Sequence, residues 1–265
     1  MIHNTAIIDK KAKVAKDVII GAYSIIGPDV NIGSGTIVQP HVSIIGDTTI
    51  GKNNKIYSFA SIGNDPQDLK YKDEKTKIII GDNNKLREYV TVNPGTIGGG
   101  GLTKIGNNCL FMVHSHVAHD CSIGNNVVLA NSVPIGGHAK IEDDVIIGGN
   151  SAVQQFTRVG KLSMIGGMCG VVKDVLPCSL VYGNRSVLQG VNVIGLRRKN
   201  ISNDKINKIK RLFSIIFEDN HLMENLKKIP QEIANDEIIK DIIHFLNSDK
   251  KRPVCKPQNL DENNW

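Results

Sequence analysis

The stretch IGNNVVLANSVPIGGHAKIEDDVIIGGNSAV (residues 123–153) decides the fold, because an aliphatic residue stands at every sixth position. These positions are Ile123, Leu129, Ile135, Ile141, Ile147 and Val153. A helix repeats about every 3.6 residues and a strand about every two, so neither gives this period. A short strand followed by a corner does, since it turns one side chain per unit inward. Three such units close a triangular coil of about 18 residues, and successive coils stack as parallel strands about 4.8 Å apart.

The same period extends on both sides of this stretch. Towards the C-terminus it ends at Val171, and towards the N-terminus it reaches Ile2 with two interruptions. No polar residue occupies any of its 26 positions, and glycine often follows them. The pattern resembles the hexapeptide-repeat family, whose left-handed parallel β-helices are exceptions to the usual right-handed crossover. We therefore expect a mainly β fold, a left-handed parallel β-helix of roughly nine coils with a C-terminal α-helical domain.

Two segments interrupt the period and are predicted to leave the prism as loops. Residues 64–77 are polar, and residues 93–104 are rich in glycine. Loops carried on a rigid scaffold often hold binding groups, so we expect both to line a site. The sequence thus predicts a β-helix domain over residues 1–186, with these insertions, and a C-terminal α-helical domain over 187–265.

The second domain shows helical periodicity. One helix is predicted to begin after Ser202 and to run to about Asp219, a second to lie near 220–228, and a third to run from Pro230 to about Ser248. We expect these helices to cover the open end of the prism, where strand groups would otherwise remain unpaired. The last dozen residues are expected to be loosely ordered.

Composition excludes several classes of protein. The net charge of +6 is too small to indicate a nucleic-acid partner by itself. No apolar run reaches the roughly 18 residues of a transmembrane segment, and no basic segment followed by an apolar one marks a secretory signal. The five cysteines form no CxxC pair and are interpreted as reduced thiols of a cytoplasmic protein, with no metal site.

Four of the eight histidines lie between residues 114 and 138. Counting 18 residues per coil places His119, Gly137 and Gln155 in one column. The same count pairs Asp120 with His138 and sets His116 below Pro134. A general base beside a free backbone N–H suits acyl transfer, since the base removes a hydroxyl proton and the N–H stabilises the oxyanion.

Six motifs narrow the resemblance to one family, the acyl-[acyl-carrier-protein]–UDP-N-acetylglucosamine O-acyltransferases. They are QDLKY (67–71), GGGLTK (99–104), HVAHDC (116–121), IIGG (146–149), AVxQF (152–156) and GVNVxGLRR (190–198). The resemblance covers essentially the whole chain. It implies transfer of a 3-hydroxyacyl chain from acyl carrier protein to the 3-hydroxyl of UDP-N-acetylglucosamine, the first step of lipid A biosynthesis. It also implies a homotrimer with sites between subunits, and no cofactor beyond the phosphopantetheine of the donor.

The resemblance also implies roles for individual residues. His119 would be the general base, Asp120 would hold its orientation or tautomer, and Gly137 would give its N–H to the oxyanion. The remaining implied residues would bind substrate: Gln67 and Asp68 the acceptor, Lys70, His116 and His138 phosphate or sugar oxygens, Gln155 the acyl chain or pantetheine, and Asn192, Arg197 and Arg198 the UDP part. Gly167 would stand at the position that measures acyl length, and a glycine there predicts a long donor of about fourteen carbons.

Two departures from the family pattern and two alternatives stand beside this interpretation. The family commonly has histidine where Gln154 stands and an acidic residue where Ile194 stands, so contacts there would be weaker or differently made.

A zinc enzyme like the β-helical carbonic anhydrases could use His114 and His119, which are five residues apart, although a third histidine is hard to supply. A related UDP-3-O-acylglucosamine N-acyltransferase would need an extra N-terminal domain. Whether the acceptor is N-acetylglucosamine or a 3-amino analogue stays open.

Overall fold

The computed structural model describes residues 1–248 and 251–260. The repeat region is a left-handed parallel β-helix whose strands form three sheets, the faces of a triangular prism. Face 1 holds Ile7–Ile8, Ile25–Ile26, Ser43–Ile44, Ser61–Ile62, Thr91–Val92, His116–Val117, Pro134–Ile135, Ala152–Val153 and Gly170–Val171. Face 2 holds Lys13–Val14, Val30–Ile32, Asp47–Ile50, Lys77–Ile80, Leu102–Ile105, Ser122–Ile123, Lys140–Ile141 and Arg158–Val159. Face 3 holds Ile19–Ile20, Ile37–Val38, Lys55–Ile56, Lys85–Leu86, Leu110–Phe111, Val128–Leu129, Ile146–Ile147, Met164–Ile165, Ser179–Tyr182 and Val187–Val191.

The six-residue period sets both the core and the corners. The repeat side chains from Ile20 to Val171 point inward and are buried, which confirms the frame predicted from the sequence. At most corners one residue adopts a left-handed backbone, again six positions apart: Asp120, Asn126, Ser132, His138, Asp144 and Asn150. Asparagine and aspartate tolerate this conformation better than most residues, which accounts for their frequency at the turns.

Both insertions leave the prism at corner 1–2, the edge between faces 1 and 2. The first loop occupies residues 63–76, because Lys77 already belongs to a strand. The second occupies residues 93–101 and contains a 3₁₀ turn at Ile97–Gly99; residues 102–104 belong to the following strand. The predicted C-terminal limits of both loops were therefore wrong by one and three residues, since the strands that follow are four residues long.

The C-terminal part begins as an antiparallel hairpin. Ser179–Tyr182 adds to face 3 and turns back into Val187–Val191, so the predicted domain boundary at 186/187 lies at the start of the second strand. The helices that follow are α1 (Val193–Arg198), α2 (Asn203–Ile216), α3 (Leu222–Asn225), α4 (Gln231–Ala234) and α5 (Glu237–Ser248), with short 3₁₀ turns at Leu226–Lys228 and Gln258–Leu260.

The helix predictions were partly right. Ser202 caps α2 through its side chain, as expected, whereas α1 and the hairpin were not foreseen. The third predicted helix is two helices, because Asn235 and Asp236 interrupt it and the Asp236 carboxylate accepts from the N–H of Ile238 at the start of the second. Among the described helices, none is both long and apolar enough to cross a membrane.

The C-terminal segment closes the top of the prism. Val254 bridges Asp174, and the Leu188 N–H donates to the Lys256 carbonyl, so this segment pairs with the last coil. Cys255 beside it is buried. The expectation that the last dozen residues are loosely ordered is therefore wrong for these positions, because the last coil offers them strand partners. Residues 261–265 of that dozen lie outside the described residues.

Candidate active site

The expected column of residues is present at corner 1–2. His116 pairs with Pro134 on face 1, and the N–H of His138 donates to the carbonyl of His119 one coil below. The N–H of Phe156 likewise donates to the carbonyl of Gly137. His119, Gly137 and Gln155 therefore lie above one another on successive coils, in the order that the 18-residue count predicts.

Asp120 fixes the ring of His119. The Nδ1 atom of His119 lies 2.8 Å from Oδ2 of Asp120. Because an ionised carboxylate can only accept, Nδ1 carries the proton, and Nε2 of the neutral ring keeps a free lone pair. This is the tautomer that a general base acting through Nε2 requires.

His119 points away from the prism interior but is only 8% exposed. The ring of His138 stands edge-on against it, with centroids 5.0 Å apart. Because little water reaches the ring, the electrostatic interactions that it makes are stronger than they would be in water.

Gly137 lies directly above the ring of His119. A Cβ atom built on Gly137 would lie 2.7 Å from both Cε1 and Nε2 of that ring, too close for any side chain. The N–H of Gly137 has no acceptor among residues 1–248 and 251–260, unlike the N–H groups of His138 and Gly136. A free donor therefore stands beside the basic nitrogen.

His138 connects the column to Phe156, a residue of the AVxQF motif for which the sequence predicted no separate role. The two rings stack with centroids 4.3 Å apart and an angle of 6°. Burial lowers the pKa of His138, and this effect outweighs the opposing charges of Asp120 and Asp68. The imidazole is therefore neutral near pH 7 and can act as a hydrogen-bond donor or acceptor.

His116 lies on face 1, one strand residue away from the corner. Its Nδ1 is 2.7 Å from the hydroxyl of Thr91 on the coil below, a partner that the sequence did not reveal. Burial lowers the pKa of His116, and the neighbouring His119 contributes in the same direction. His116 is thus a neutral group near pH 7, and its Nε2 atom is not used in the contact with Thr91.

The first loop brings its predicted residues towards this corner. The Asp68 carboxylate lies close enough to His138 to influence the pKa of that imidazole, and it accepts the N–H of Lys70 over 3.0 Å. Gln67 and Lys70 are exposed, as is Gln155 in the column above. These side chains are free to turn towards a ligand.

The other predicted binding residues lie elsewhere on the prism. Gly167 stands at corner 3–1, directly above Gly149. Asn192 is bound at corner 2–3: its amide donates to the Leu162 carbonyl over 2.9 Å, and its oxygen caps α1 by accepting from Gly195. Its side chain is therefore engaged in holding α1, which carries the exposed Arg197 and Arg198.

Gln154 and Ile194, the two residues that depart from the family pattern, lie in different surroundings. Arg252 of the C-terminal segment donates to the Gln154 side chain over 3.3 Å and to the Val172 carbonyl over 3.4 Å. Ile194 is two-thirds exposed on α1 and has an aliphatic surface where the pattern has an acid. Arg252 therefore lies next to Gln154 although 98 residues separate the two in the sequence, and the sequence did not predict this contact.

The geometry does not favour a zinc site. His114 lies at corner 3–1, stacked on Tyr89 with centroids 4.9 Å apart, whereas His119 lies at corner 1–2. Within the described ranges, one group offers three possible ligands close together: His119, Asp120 and His138. The 2.8 Å between Nδ1 and Oδ2 is a hydrogen-bond distance, shorter than the roughly 3.3 Å between two ligand atoms on tetrahedral zinc.

Two family models match the sequence. Residues 174–255 match the model described as UDP N-acetylglucosamine O-acyltransferase, domain 2. Residues 102–137 match the model for the bacterial transferase hexapeptide (six repeats). The first range covers most of the C-terminal part, and the second includes His119 and Gly137.

Known proteins are similar over nearly the whole chain. An acyl-[acyl-carrier-protein]–UDP-N-acetylglucosamine O-acyltransferase of Aliarcobacter butzleri is 46% identical over 250 residues, 94% of this chain and 96% of the relative. The solved UDP-N-acetylglucosamine O-acyltransferase of Moraxella catarrhalis has a TM-score of 0.91 at 42% identity, covering 96% of this chain and 98% of that one. The UDP-N-acetylglucosamine acyltransferase of Francisella novicida has a TM-score of 0.93 at 36% identity, covering 98% and 95%.

Proposed function

This chain belongs to the acyl-[acyl-carrier-protein]–UDP-N-acetylglucosamine O-acyltransferase family, and we propose that its reaction takes place at corner 1–2 with His119 as the general base. The activity is transfer of an acyl chain from acyl carrier protein to UDP-N-acetylglucosamine in lipid A synthesis. The observation that carries the assignment is the contact between Asp120, His119 and Gly137, which puts a lone pair beside a free N–H.

The steps follow from these atoms. Nε2 of His119 takes the proton of the sugar 3-hydroxyl as its oxygen attacks the thioester carbonyl. The N–H of Gly137 donates to the oxyanion of the tetrahedral intermediate. Collapse of the intermediate breaks the carbon–sulfur bond, and the imidazolium returns the proton to the departing thiol of the carrier. The proton of the sugar hydroxyl thus ends on the thiol of the carrier, and the acyl group ends on the sugar oxygen.

Asp120 supports the base without taking up a proton itself. Its carboxylate keeps Nδ1 protonated and stabilises the positive ring that forms during attack. The ring is held in one orientation, which reduces the reorganisation needed at the moment of reaction.

The acceptor is bound by groups around this corner. Asp68 can accept from sugar hydroxyls, with Gln67 beside it, while Lys70 and the neutral imidazoles of His116 and His138 can donate to sugar or phosphate oxygens. Gln155, higher in the same column, is placed for the acyl chain or the pantetheine arm. These groups all lie at or beside corner 1–2 or belong to the first loop, which leaves the prism there.

The remaining residues require a neighbouring subunit. Gly167, and α1 with Arg197 and Arg198, belong to corners 3–1 and 2–3, and three corners of one prism cannot converge on one ligand. A homotrimer, in which corner 1–2 of one subunit faces α1 and Gly167 of the next, completes the site. Two guanidinium groups then meet the UDP phosphates, and Asn192 acts by holding α1 in place.

The experiment is an assay of purified protein with UDP-N-acetylglucosamine and 3-hydroxyacyl carrier proteins of several chain lengths. The product should be heavier than UDP-N-acetylglucosamine by one 3-hydroxyacyl group, and mild base should remove this group because it is bound as an ester. If a 3-amino analogue is acylated instead, its product is an amide that resists mild base, and the 3-amino sugar is then the preferred acceptor. Absence of acylation with every donor and acceptor would refute the proposal.

A further inference from the structure

The glycine-rich second loop, residues 93–101, lies against the carboxylate of Asp120. The N–H of Thr96 donates to Oδ1 over 2.9 Å, and the Thr96 hydroxyl donates to Oδ2 over 2.7 Å. Thr96 is 5% exposed, and the side chain of Asp120 has no exposed surface at all. Oδ2 therefore receives one hydrogen bond from Thr96 and one from His119, with the loop on one side and the base on the other.

Two glycines of this loop make that contact possible. A Cβ atom on Gly99 would lie 2.0 Å from Cγ of Asp120, and one on Gly95 would lie 2.8 Å from its Oδ1. Gly98, next to Gly99, has open space where its Cβ would be. The Asp120 carboxylate thus requires a glycine at position 99 but not at position 98, so a substitution of Gly98 is a matched control for one of Gly99.

The loop is held in shape by its own backbone. The N–H of Gly101 donates to the Thr96 carbonyl over 2.8 Å, and the N–H of Lys77 donates to the Gly101 carbonyl over 2.9 Å. Just beyond the loop, the Thr103 hydroxyl accepts the N–H of Asp120 over 2.8 Å. Thr96 is therefore fixed relative to the prism before any substrate arrives.

We propose that Thr96 is a positioning residue, which sets the orientation of Asp120 and through it the orientation and tautomer of His119. The inference rests on the proposed role of His119 as general base. Without the Thr96 hydroxyl, Oδ2 loses one of its two hydrogen bonds, and the carboxylate is held less firmly in the orientation in which Oδ2 faces Nδ1. The second loop then contributes to turnover although none of its atoms meets the reacting groups.

The first test compares Thr96→Val with Thr96→Ser. The valine variant keeps the shape and the backbone donor but loses the hydroxyl, and a hydrogen bond to a charged group of this kind corresponds to roughly a ten- to hundredfold loss in kcat. KM for UDP-N-acetylglucosamine should change little. Serine retains the donor and should restore most of the rate.

The second test compares Gly99→Ala with Gly98→Ala in the full-length protein. The alanine at 99 must displace Asp120 and should reduce kcat, whereas the alanine at 98 meets no atom and should leave it at the wild-type level. Proton NMR of the His119 ring gives an independent readout, because the strongly downfield Nδ1–H signal of the pair with Asp120 should shift or broaden in Thr96→Val and Gly99→Ala only. If Gly99→Ala does not fold, the valine and serine pair decides the question.

The outcomes separate this inference from the assignment of the base. A wild-type rate in His119→Ala would refute the general base itself. An inactive His119→Ala together with wild-type kcat and an unchanged Nδ1–H signal in Thr96→Val would refute only the positioning role. A fall in kcat in Thr96→Val that serine does not reverse would also contradict it, since the shared hydroxyl would then be irrelevant.

Discussion

Gly137 lies above the ring face of His119 so closely that a methyl group on its Cα atom would lie 2.7 Å from both Nε2 and Cε1. Such a methyl group would force the imidazole out of the position in which Asp120 holds it. The N–H of the same glycine has no acceptor within the described residues. Base and oxyanion donor thus come from adjacent coils of one repeat.

Gly137→Ala should therefore lose activity without losing the fold. The methyl group pushes the ring from its place, and we expect kcat/KM to fall by roughly 10²-fold or more, comparable to loss of an oxyanion donor. Steady-state kinetics and thermal unfolding would measure the two effects. Full activity in a folded Gly137→Ala protein would show that catalysis does not need the His119 ring in this position.

Acyl length should depend on Gly167. A Cβ atom there would lie 3.2 Å from the carbonyl oxygen of Gly149, at corner 3–1. Each donor methylene that is no longer buried costs about 0.8 kcal/mol, roughly fourfold in preference. Gly167→Met should shift the donor profile from about fourteen carbons to shorter chains, measured by competition between acyl carrier proteins. An unchanged profile would place the length limit elsewhere.

The stability of the protein should fall below about pH 6.5 because of His116 and His138. Burial lowers the pKa of both in the folded state, so the unfolded chain binds more protons in the window below the ordinary histidine value. The free energy of unfolding should therefore decrease as pH falls through this window. Denaturant unfolding at several pH values should show a shallower decrease in His116→Gln; identical slopes would contradict the buried, uncharged state of His116.

Arg158 should hold helix α5 to the prism. Its Nε donates to Asp174 over 2.7 Å, its Nη1 donates to the Phe245 carbonyl over 3.0 Å, and the guanidinium stacks on the Phe245 ring at 4.1 Å. Breaking such a buried pair costs about 3–5 kcal/mol, so Arg158→Leu should lower the free energy of unfolding by that order.

The matched control for Arg158 is the exposed pair between Lys161 and Asp241 of the same helix. Lys161→Ala should cost no more than about 1 kcal/mol. Equal effects of the two substitutions in urea unfolding would show that burial of the Arg158 pair is not what stabilises the contact.

The repeat made the coils and the His119 column predictable, because a fixed period converts sequence distance into spatial position. Gly137 and Gln155 follow from His119 by adding one and two coils. The contacts outside the period were not predictable in this way. Thr96 reaches Asp120 from a loop whose path no repeat dictates, and Phe245 meets Arg158 from 87 residues away. The interruption at Asn235 and Asp236 reflects local capping, which helical periodicity does not register.

The most direct test of the central claim is the rate of His119→Ala. We expect kcat/KM to fall by roughly 10²–10⁴-fold, as for loss of a general base, with the fold unchanged by circular dichroism and thermal unfolding. His244→Ala, an exposed histidine on α5, is the matched control and should keep the wild-type rate. A folded His119→Ala protein that acylates UDP-N-acetylglucosamine at the wild-type rate would contradict the account.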